Sequence, residues 1–116
     1  MLSCLSLILD YILTNNDILR RLRYTFNLTD TAVVDIFAAA EATVTTEQVI
    51  AWLTKEGEQE FVKISDTEFA TFLNGFINTK RGKREGVQPI PESKLNNNII
   101  FMKLRIALNM KAEDVI

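Results

Sequence analysis

The densest group of charged residues in the chain lies between Lys80 and Arg84, with the sequence Lys-Arg-Gly-Lys-Arg. Ammonium and guanidinium groups placed this closely bind phosphate or carboxylate oxygens through charge-assisted hydrogen bonds. The same residues suit the carboxyl end of a helix, where cations complement the helix dipole and glycine lets the chain reverse. We favour this structural interpretation, because no aromatic residue is interleaved with the cations. The candidate anion-binding residues are Lys80, Arg81, Lys83 and Arg84.

Residues that carry out acid–base, nucleophilic or metal chemistry are scarce. The chain has no histidine, and its one cysteine, Cys4, cannot form an intramolecular disulfide or a multi-cysteine zinc site. Glu56 and Glu60 have the four-residue spacing of carboxylate ligands in helical bundles, but they have no accompanying histidine, and we interpret them as a solvated face. Ser65 lacks a base and is better explained as a helix cap. The sequence therefore predicts no catalytic residue, metal or cofactor.

The stretch from Val33 to Thr54 has the outline of a helix-turn-helix motif. In that motif the early residues of the second helix face the bases in the major groove. Here those residues are Glu47 and Gln48, in an acidic segment. We therefore favour two packed helices over a DNA reader, with Trp52 as a core residue and not a stacking platform.

Length and composition indicate one folded domain. The chain has 116 residues, of which 47% are hydrophobic and 24% charged, as in ordinary globular proteins. Residues 31–79 carry eight acidic and two basic side chains, a balance of −6, whereas residues 80–111 carry eight basic and two acidic ones, a balance of +6. This asymmetry is compatible with a surface for an anionic partner. Two ordinary solvated faces that compensate each other are the interpretation that we favour.

The first fourteen residues, Met1 to Thr14, form an apolar leader. The segment lacks the basic start of a secretory signal and is shorter than the ~20 apolar residues of a membrane span. Its leucines recur at helical spacing, which favours a buried or partner-seeking helix. Together with the single cysteine, this favours a cytoplasmic protein.

Apolar residues recur at three- and four-residue intervals through most of the chain, which predicts an all-α fold, a small bundle of five or six helices. Two capping boxes, Thr45 with Gln48 and Ser65 with Glu68, mark helix starts. The predicted segments are helices at about Asp17–Asn27 (capped by Asn15 or Asn16) and Thr31–Glu41, a helix from Thr46 that ends before Gly57, a short helical turn from Glu58 to Ile64 with Phe61 inward, a helix from Ser65 to Gly82, and a last helix from Asn97 to Asn109.

The helix behind Ser65 has the strongest core pattern. Phe69, Phe72, Leu73 and Phe76 lie on one face, and we predict that they pack against Phe37, Val49 and Trp52. Gly75 lies in the same helix, where glycine is costly, and this position favours close packing of a neighbouring helix.

The chain also repeats itself. A shift of 82 positions places the first helix on the last, with seven identities in twenty pairs, including Asn and Arg positions that an amphipathic pattern alone does not require. We infer a leader or extension at residues 1–14, a first helical repeat at 15–82, a linker at 83–95 and the start of a second repeat at 96–116. The apolar side of the last helix, formed by Ile100, Leu104, Ala107 and Leu108, then needs to be covered. We predict either a homodimer or docking of the leader against it.

The sequence from about Asn15 to Ile116 resembles the YehS-like proteins, a bacterial family of unknown function. The resemblance rests on Asn16-Asp17-Ile18-Leu19-Arg20, on Phe72-Leu73-Asn74-Gly75 with Lys80-Arg81-Gly82-Lys83, and on Lys103-Leu104-Arg105-Ile106-Ala107. It implies a helical tandem of two repeats and no assigned activity, substrate or cofactor. Members of the family begin near Asn15 and continue beyond Ile116.

The leading functional interpretation is a non-enzymatic, cytoplasmic interaction module that acts through helix-on-helix contacts, with a protein partner or a second copy. The alternative is a nucleic-acid-associated protein that uses the basic residues 80–84. An enzyme ranks last, because acid–base and nucleophilic groups are nearly absent.

Overall fold

The computed structural model describes residues 14–55, 57–82 and 90–108, and the regular structure within these ranges is all helical. This confirms the all-α fold class. Five helices are described: α1, Asn15–Thr25; α2, Asp30–Ala39; α3, Thr46–Leu53; α4, Asp66–Arg81; and α5, Asn97–Ala107.

Helix α1 begins two residues earlier than predicted. Its N-cap is Thr14, whose hydroxyl accepts from the Asp17 amide at 3.1 Å, while the Asp17 carboxylate accepts from the Thr14 amide at 3.2 Å. This capping box satisfies two backbone donors. The prediction that Asn15 or Asn16 caps the helix is wrong, because both side chains make longer-range contacts instead. Thr14 itself has extended backbone, and residues 1–13 of the predicted leader lie outside the described residues.

The other predicted caps are confirmed. Thr45 and Gln48 form the capping box of α3, and Ser65 and Glu68 form that of α4. Helix α4 ends at Gly82, whose φ of +90° is accessible to glycine at little cost.

The segment from Glu58 to Ile64 was predicted as a short helical turn with Phe61 inward. Its first part is a turn, in which the Phe61 amide donates to Glu58 O at 3.1 Å, but the prediction is wrong for residues 61–64. Residues 61–65 have no regular secondary structure, Ile64 is fully buried, and Phe61 is only half-buried. The backbone of this segment is held from outside: the Val62 amide donates to Ala51 O at 3.1 Å, and two further groups bond to a side chain of α1 described below. These contacts favour an extended path over a helical one.

The core lies around α4, which packs most extensively against α2 and α5. The predicted contact of α4 with Phe37 is confirmed, because the rings of Phe72 and Phe37 lie 5.7 Å apart between centroids. Along α4 itself, the ring of Phe72 lies 5.9 Å from Phe69 and 6.0 Å from Phe76. Trp52 is buried and lies 5.4 Å from Phe37, so its predicted core role is also confirmed.

Gly75 marks the crossing of α2 and α4. A Cβ at this position would lie 1.9 Å from the backbone oxygen of Ile36. Only glycine admits this approach, and the predicted close helix packing is confirmed.

Helix α5 packs against α4 and buries Ile100, Leu104 and Ala107. The apolar side of the last helix is therefore covered by α4 along these three positions. A homodimer and docking of the leader stay predictions. Residues 83–89 of the predicted linker lie outside the described residues, and Leu95 at its end packs against the core. No described helix is long and apolar enough to cross a membrane.

Candidate functional site

The predicted anion-binding cluster lies at the carboxyl end of α4, and the structure describes half of it. The ammonium group of Lys80 lies over two aromatic rings, 5.4 Å from the centroid of Phe26 and 5.7 Å from that of Phe76. A cation over a ring face is held by the ring quadrupole, so Lys80 takes part in packing. Arg81 is exposed, and Lys83 and Arg84 lie outside the described residues.

A buried polar contact that the sequence analysis missed joins α1 to the end of α3. Asn16 is fully buried, and its amide nitrogen donates to Trp52 O and Val62 O, both at 2.9 Å. Its side-chain oxygen accepts from the Ile64 amide at 3.1 Å. One side chain thus satisfies three backbone groups that the irregular segment after α3 leaves without helical partners.

Arg20 lies one helical turn beyond Asn16 and contacts the same region. Its guanidinium donates to Thr54 O at 2.9 Å, and it also pairs with Asp17. Asn16 and Arg20 therefore hold the carboxyl end of α3, where carbonyl oxygens lack helical donors and attract cations.

Beyond these contacts, an open groove of about 390 Å³ separates α1 from α3. Arg23 lines it with a side chain 45% exposed, and the nearest acidic atom described, Asp30 Oδ1, lies 3.9 Å from Arg23 Nε. Tyr24 is 87% exposed and Ile50 48% exposed. The lining residues are Arg20, Arg23, Tyr24, Asp30, Ile50, Leu53 and Thr54.

A different kind of surface lies on α5. Met102 and Ile106 are one turn apart and 57% and 51% exposed, and Asn98, one turn before Met102, is also exposed. We call these three residues the α5 stripe. The 82-residue offset places it on Asn16, Arg20 and Tyr24, the side of α1 that faces α3.

Two polar contacts fix α5 and the residues before it against α4. Asp66 accepts from Asn15 Nδ2 at 2.7 Å and from the Leu95 amide at 3.0 Å, and these bonds hold the pKa of its carboxyl below the ordinary value. Lys103 lies between Asn74 Oδ1, at 2.5 Å, and Glu92 Oε1, at 3.2 Å. The loop, α4 and α5 are thereby joined through ionic groups as well as apolar ones.

The described residues hold no group of three or more side chains suited to a metal ion. Glu60 is exposed and its predicted neighbour Glu56 lies outside the described residues. Ser65 serves as the cap of α4. What the geometry offers is therefore two surfaces, the groove and the α5 stripe.

Comparison with known proteins finds relatives without an assigned activity. The family described as "Protein of unknown function (DUF1456)" matches residues 15–82. An uncharacterised protein of Escherichia coli (strain K12), YehS, is 42% identical over 103 residues, which are 88% of this chain and 66% of the relative. The chain thus spans just under two thirds of the length of that curated relative. No solved structure matches the present chain.

Proposed function

The chain belongs to the DUF1456 family of proteins of unknown function, which confirms the YehS-like resemblance, and we propose that it is a non-enzymatic interaction module that docks a partner helix. The family supplies no activity from which to start. The observation that carries the proposal is the α5 stripe, in which two large apolar side chains one turn apart are each about half exposed.

The contacts of α1 support this use of the stripe. At the equivalent positions of α1, Asn16 bonds to Trp52 O in the last turn of α3 and to Val62 O beyond it, and Arg20 bonds to the carbonyl of the C-cap residue Thr54. Helices α1 and α5 have the same length of 11 residues and begin 82 positions apart. Ile18 and Leu22 of α1 and Ile100 and Leu104 of α5, which correspond at this offset, are all buried. These likenesses support the inferred duplication and the equivalence of the two stripes.

The partner that fits the α5 stripe is therefore a short helix of the kind of α3. Such a helix has an apolar side that covers Met102 and Ile106, and its carboxyl end presents free carbonyl oxygens to the Asn98 amide. Methionine and isoleucine replace the arginine and tyrosine of α1, so the partner side should be more apolar and should need no charged group opposite them.

A peptide with the sequence of residues 43–65, which contains α3 and its following turn, provides a direct probe. We expect its fluorescently labelled form to bind the whole chain, as measured by fluorescence anisotropy. Replacement of Met102 and Ile106 by lysine should weaken binding by at least about tenfold, since two apolar contacts are lost. Asn98→Ala should weaken it less, because a single exposed hydrogen bond is lost.

Val62→Lys is the matched control, because Val62 is an equally exposed apolar residue outside α5. It should leave the affinity unchanged. Equal binding by the wild-type chain and the Met102/Ile106 double variant would contradict the proposal, and so would the absence of binding at millimolar peptide.

A further inference from the structure

The groove between α1 and α3 combines one open cation with an apolar wall. Arg20 is committed, because its guanidinium already bonds to Thr54 O and to Asp17. Arg23 differs, since its Nε forms only a long, solvent-exposed ion pair with Asp30 Oδ1, at 3.9 Å, which is beyond hydrogen-bond distance. A half-exposed guanidinium with unfilled donors favours a planar anion that it can bind with two parallel hydrogen bonds.

The other side of the groove is apolar. Ile50 and Leu53 project from α3, and the ring of Tyr24 stands at the edge, almost fully exposed. The volume of about 390 Å³ falls in the range of small binding sites. A ligand that fills it needs an aliphatic group for Ile50 and Leu53 next to an anionic group for Arg23.

We infer that this groove binds the C-terminal residue of a partner polypeptide, its carboxylate on Arg23 and its aliphatic side chain against Ile50 and Leu53. In a C-terminal leucine the α-carboxylate and the aliphatic side chain are attached to the same Cα, so one residue supplies both groups. This site is separate from the α5 stripe and does not depend on the proposed helix docking.

Charge decides between this ligand and a nucleic-acid strand. A strand needs several cations along its backbone. Of the two guanidinium groups in the groove, Arg20 is held by hydrogen bonds, whereas Arg23 has only the long ion pair with Asp30. The Asp30 carboxylate would repel a phosphodiester chain, and Arg23 alone would offset little of that repulsion. A single carboxylate needs only the one guanidinium group of Arg23.

The test uses nuclear magnetic resonance titrations of the whole chain, which report the amide and methyl signals of Ile50 and Leu53. The probe is the tripeptide acetyl-Ala-Ala-Leu with a free carboxylate. We expect saturable shifts at these residues and affinity at least about tenfold above that of the same peptide with an amidated end, since a charge-assisted bidentate pair is lost.

Three variants test the electrostatics: two at Arg23 that should weaken binding and one at Asp30 that should strengthen it. Arg23→Ala should abolish the preference for the free carboxylate, and Arg23→Lys should restore only part of it, because lysine lacks the planar fork. Asp30→Asn should tighten binding, because it removes a like charge beside the ligand. Arg21→Ala, at an exposed cation of α1 that does not line the groove, is the control and should change nothing.

Five results would overturn the inference. The amidated peptide could bind as tightly as the free one, or Arg23→Ala could leave affinity unchanged in a variant whose spectrum remains folded. A capped peptide with an internal glutamate, acetyl-Ala-Glu-Leu-Ala-amide, could bind more tightly, which would assign the site to a side-chain carboxylate. Tighter binding of an eight-nucleotide oligothymidine to the same residues would assign it to nucleic acid. Shifts at saturating peptide that are absent from Ile50 and Leu53 would also refute the site.

Discussion

Replacement of Asn16 by alanine should be among the most destabilising changes in the chain, although Asn16 is a polar residue on a helix. Its side chain makes three hydrogen bonds, to Trp52 O, Val62 O and the Ile64 amide. It is buried within the contact between α1 and the segment that leads from α3 to α4. Alanine leaves all three backbone groups without their partner and creates a small void.

The magnitude follows from these bonds. A hydrogen bond contributes about 0.5–1.5 kcal/mol net, and a buried group left unsatisfied costs about 1–3 kcal/mol. Two of the three bonds lie in buried surroundings, to Trp52 O and from the Ile64 amide. Water can reach the third partner at the margin. We therefore expect Asn16→Ala to lower the free energy of unfolding by about 3 kcal/mol, a large part of the stability of a small domain.

The chain contains its own control for this change. Asn98 occupies the equivalent position of α5, 82 residues later, but is exposed. Asn98→Ala should stay within about 0.5 kcal/mol of the wild type, because an exposed substitution loses no buried partner. Both substitutions gain the same helix propensity, so the difference between them isolates the buried hydrogen bonds.

Urea unfolding followed by the fluorescence of Trp52, the single tryptophan, measures both variants. Trp52 is buried and lies next to the perturbed contact, so its emission reports the transition directly. A loss below about 1 kcal/mol for Asn16→Ala would refute the reasoning from hydrogen bonds. Equal losses for the two asparagines would refute the assigned difference in burial.

Three further changes test the core and the polar contacts. Phe72→Ala should cost about 3–5 kcal/mol in urea unfolding, because Phe72 is buried among three other rings; unchanged thermal stability would remove α4 from the core. Gly75→Ala should destabilise by at least about 2 kcal/mol despite its better helix propensity, because its Cβ would lie 1.9 Å from Ile36 O; a stabilised variant would show that α2 and α4 do not meet there. Asp66 has a pKa lowered from 3.8 by hydrogen bonds from Leu95 and Asn15, so its contribution is complete above that value and disappears as the pH falls through the folded-state pKa. Asp66→Asn should therefore be less stable than the wild type at neutral pH and show a shallower loss of stability between about pH 5 and pH 2; parallel pH profiles would contradict this.

Much of the architecture follows from local sequence patterns. The capping boxes at Thr45 and Ser65 and the phenylalanine spacing of α4 involve residues within a few positions of one another, so one stretch of sequence contains the whole signal. The close approach at Gly75 is also visible locally, since a glycine inside a strong helical pattern needs a packing reason. The aromatic contacts of Phe37 and Trp52 follow once those helices are packed together.

The missed features depend on partners far away in sequence. Asn16 was expected to cap a helix because asparagine favours caps, whereas its actual partners are 36 to 48 residues away. Those same bonds hold the segment before α4 in an extended path that its own residues do not specify. The groove was missed for the same reason: Arg23 and Ile50 share no local pattern and meet only because α1 packs beside α3.

The comparison of α1 with α5 shows how neighbours, and not the helix alone, decide what a position does. Ile18 and Ile100 are buried in both helices, because each helix has α4 as a neighbour along one side. On a second side of these helices the equivalent positions differ: Asn16 is buried against the end of α3, whereas Asn98 is exposed. Asn98 is thus an exposed amide next to Met102 and Ile106, two apolar side chains that are each about half exposed. That combination is what a docking surface requires: apolar area that a partner helix removes from water, and an amide that fixes where the end of that helix must lie.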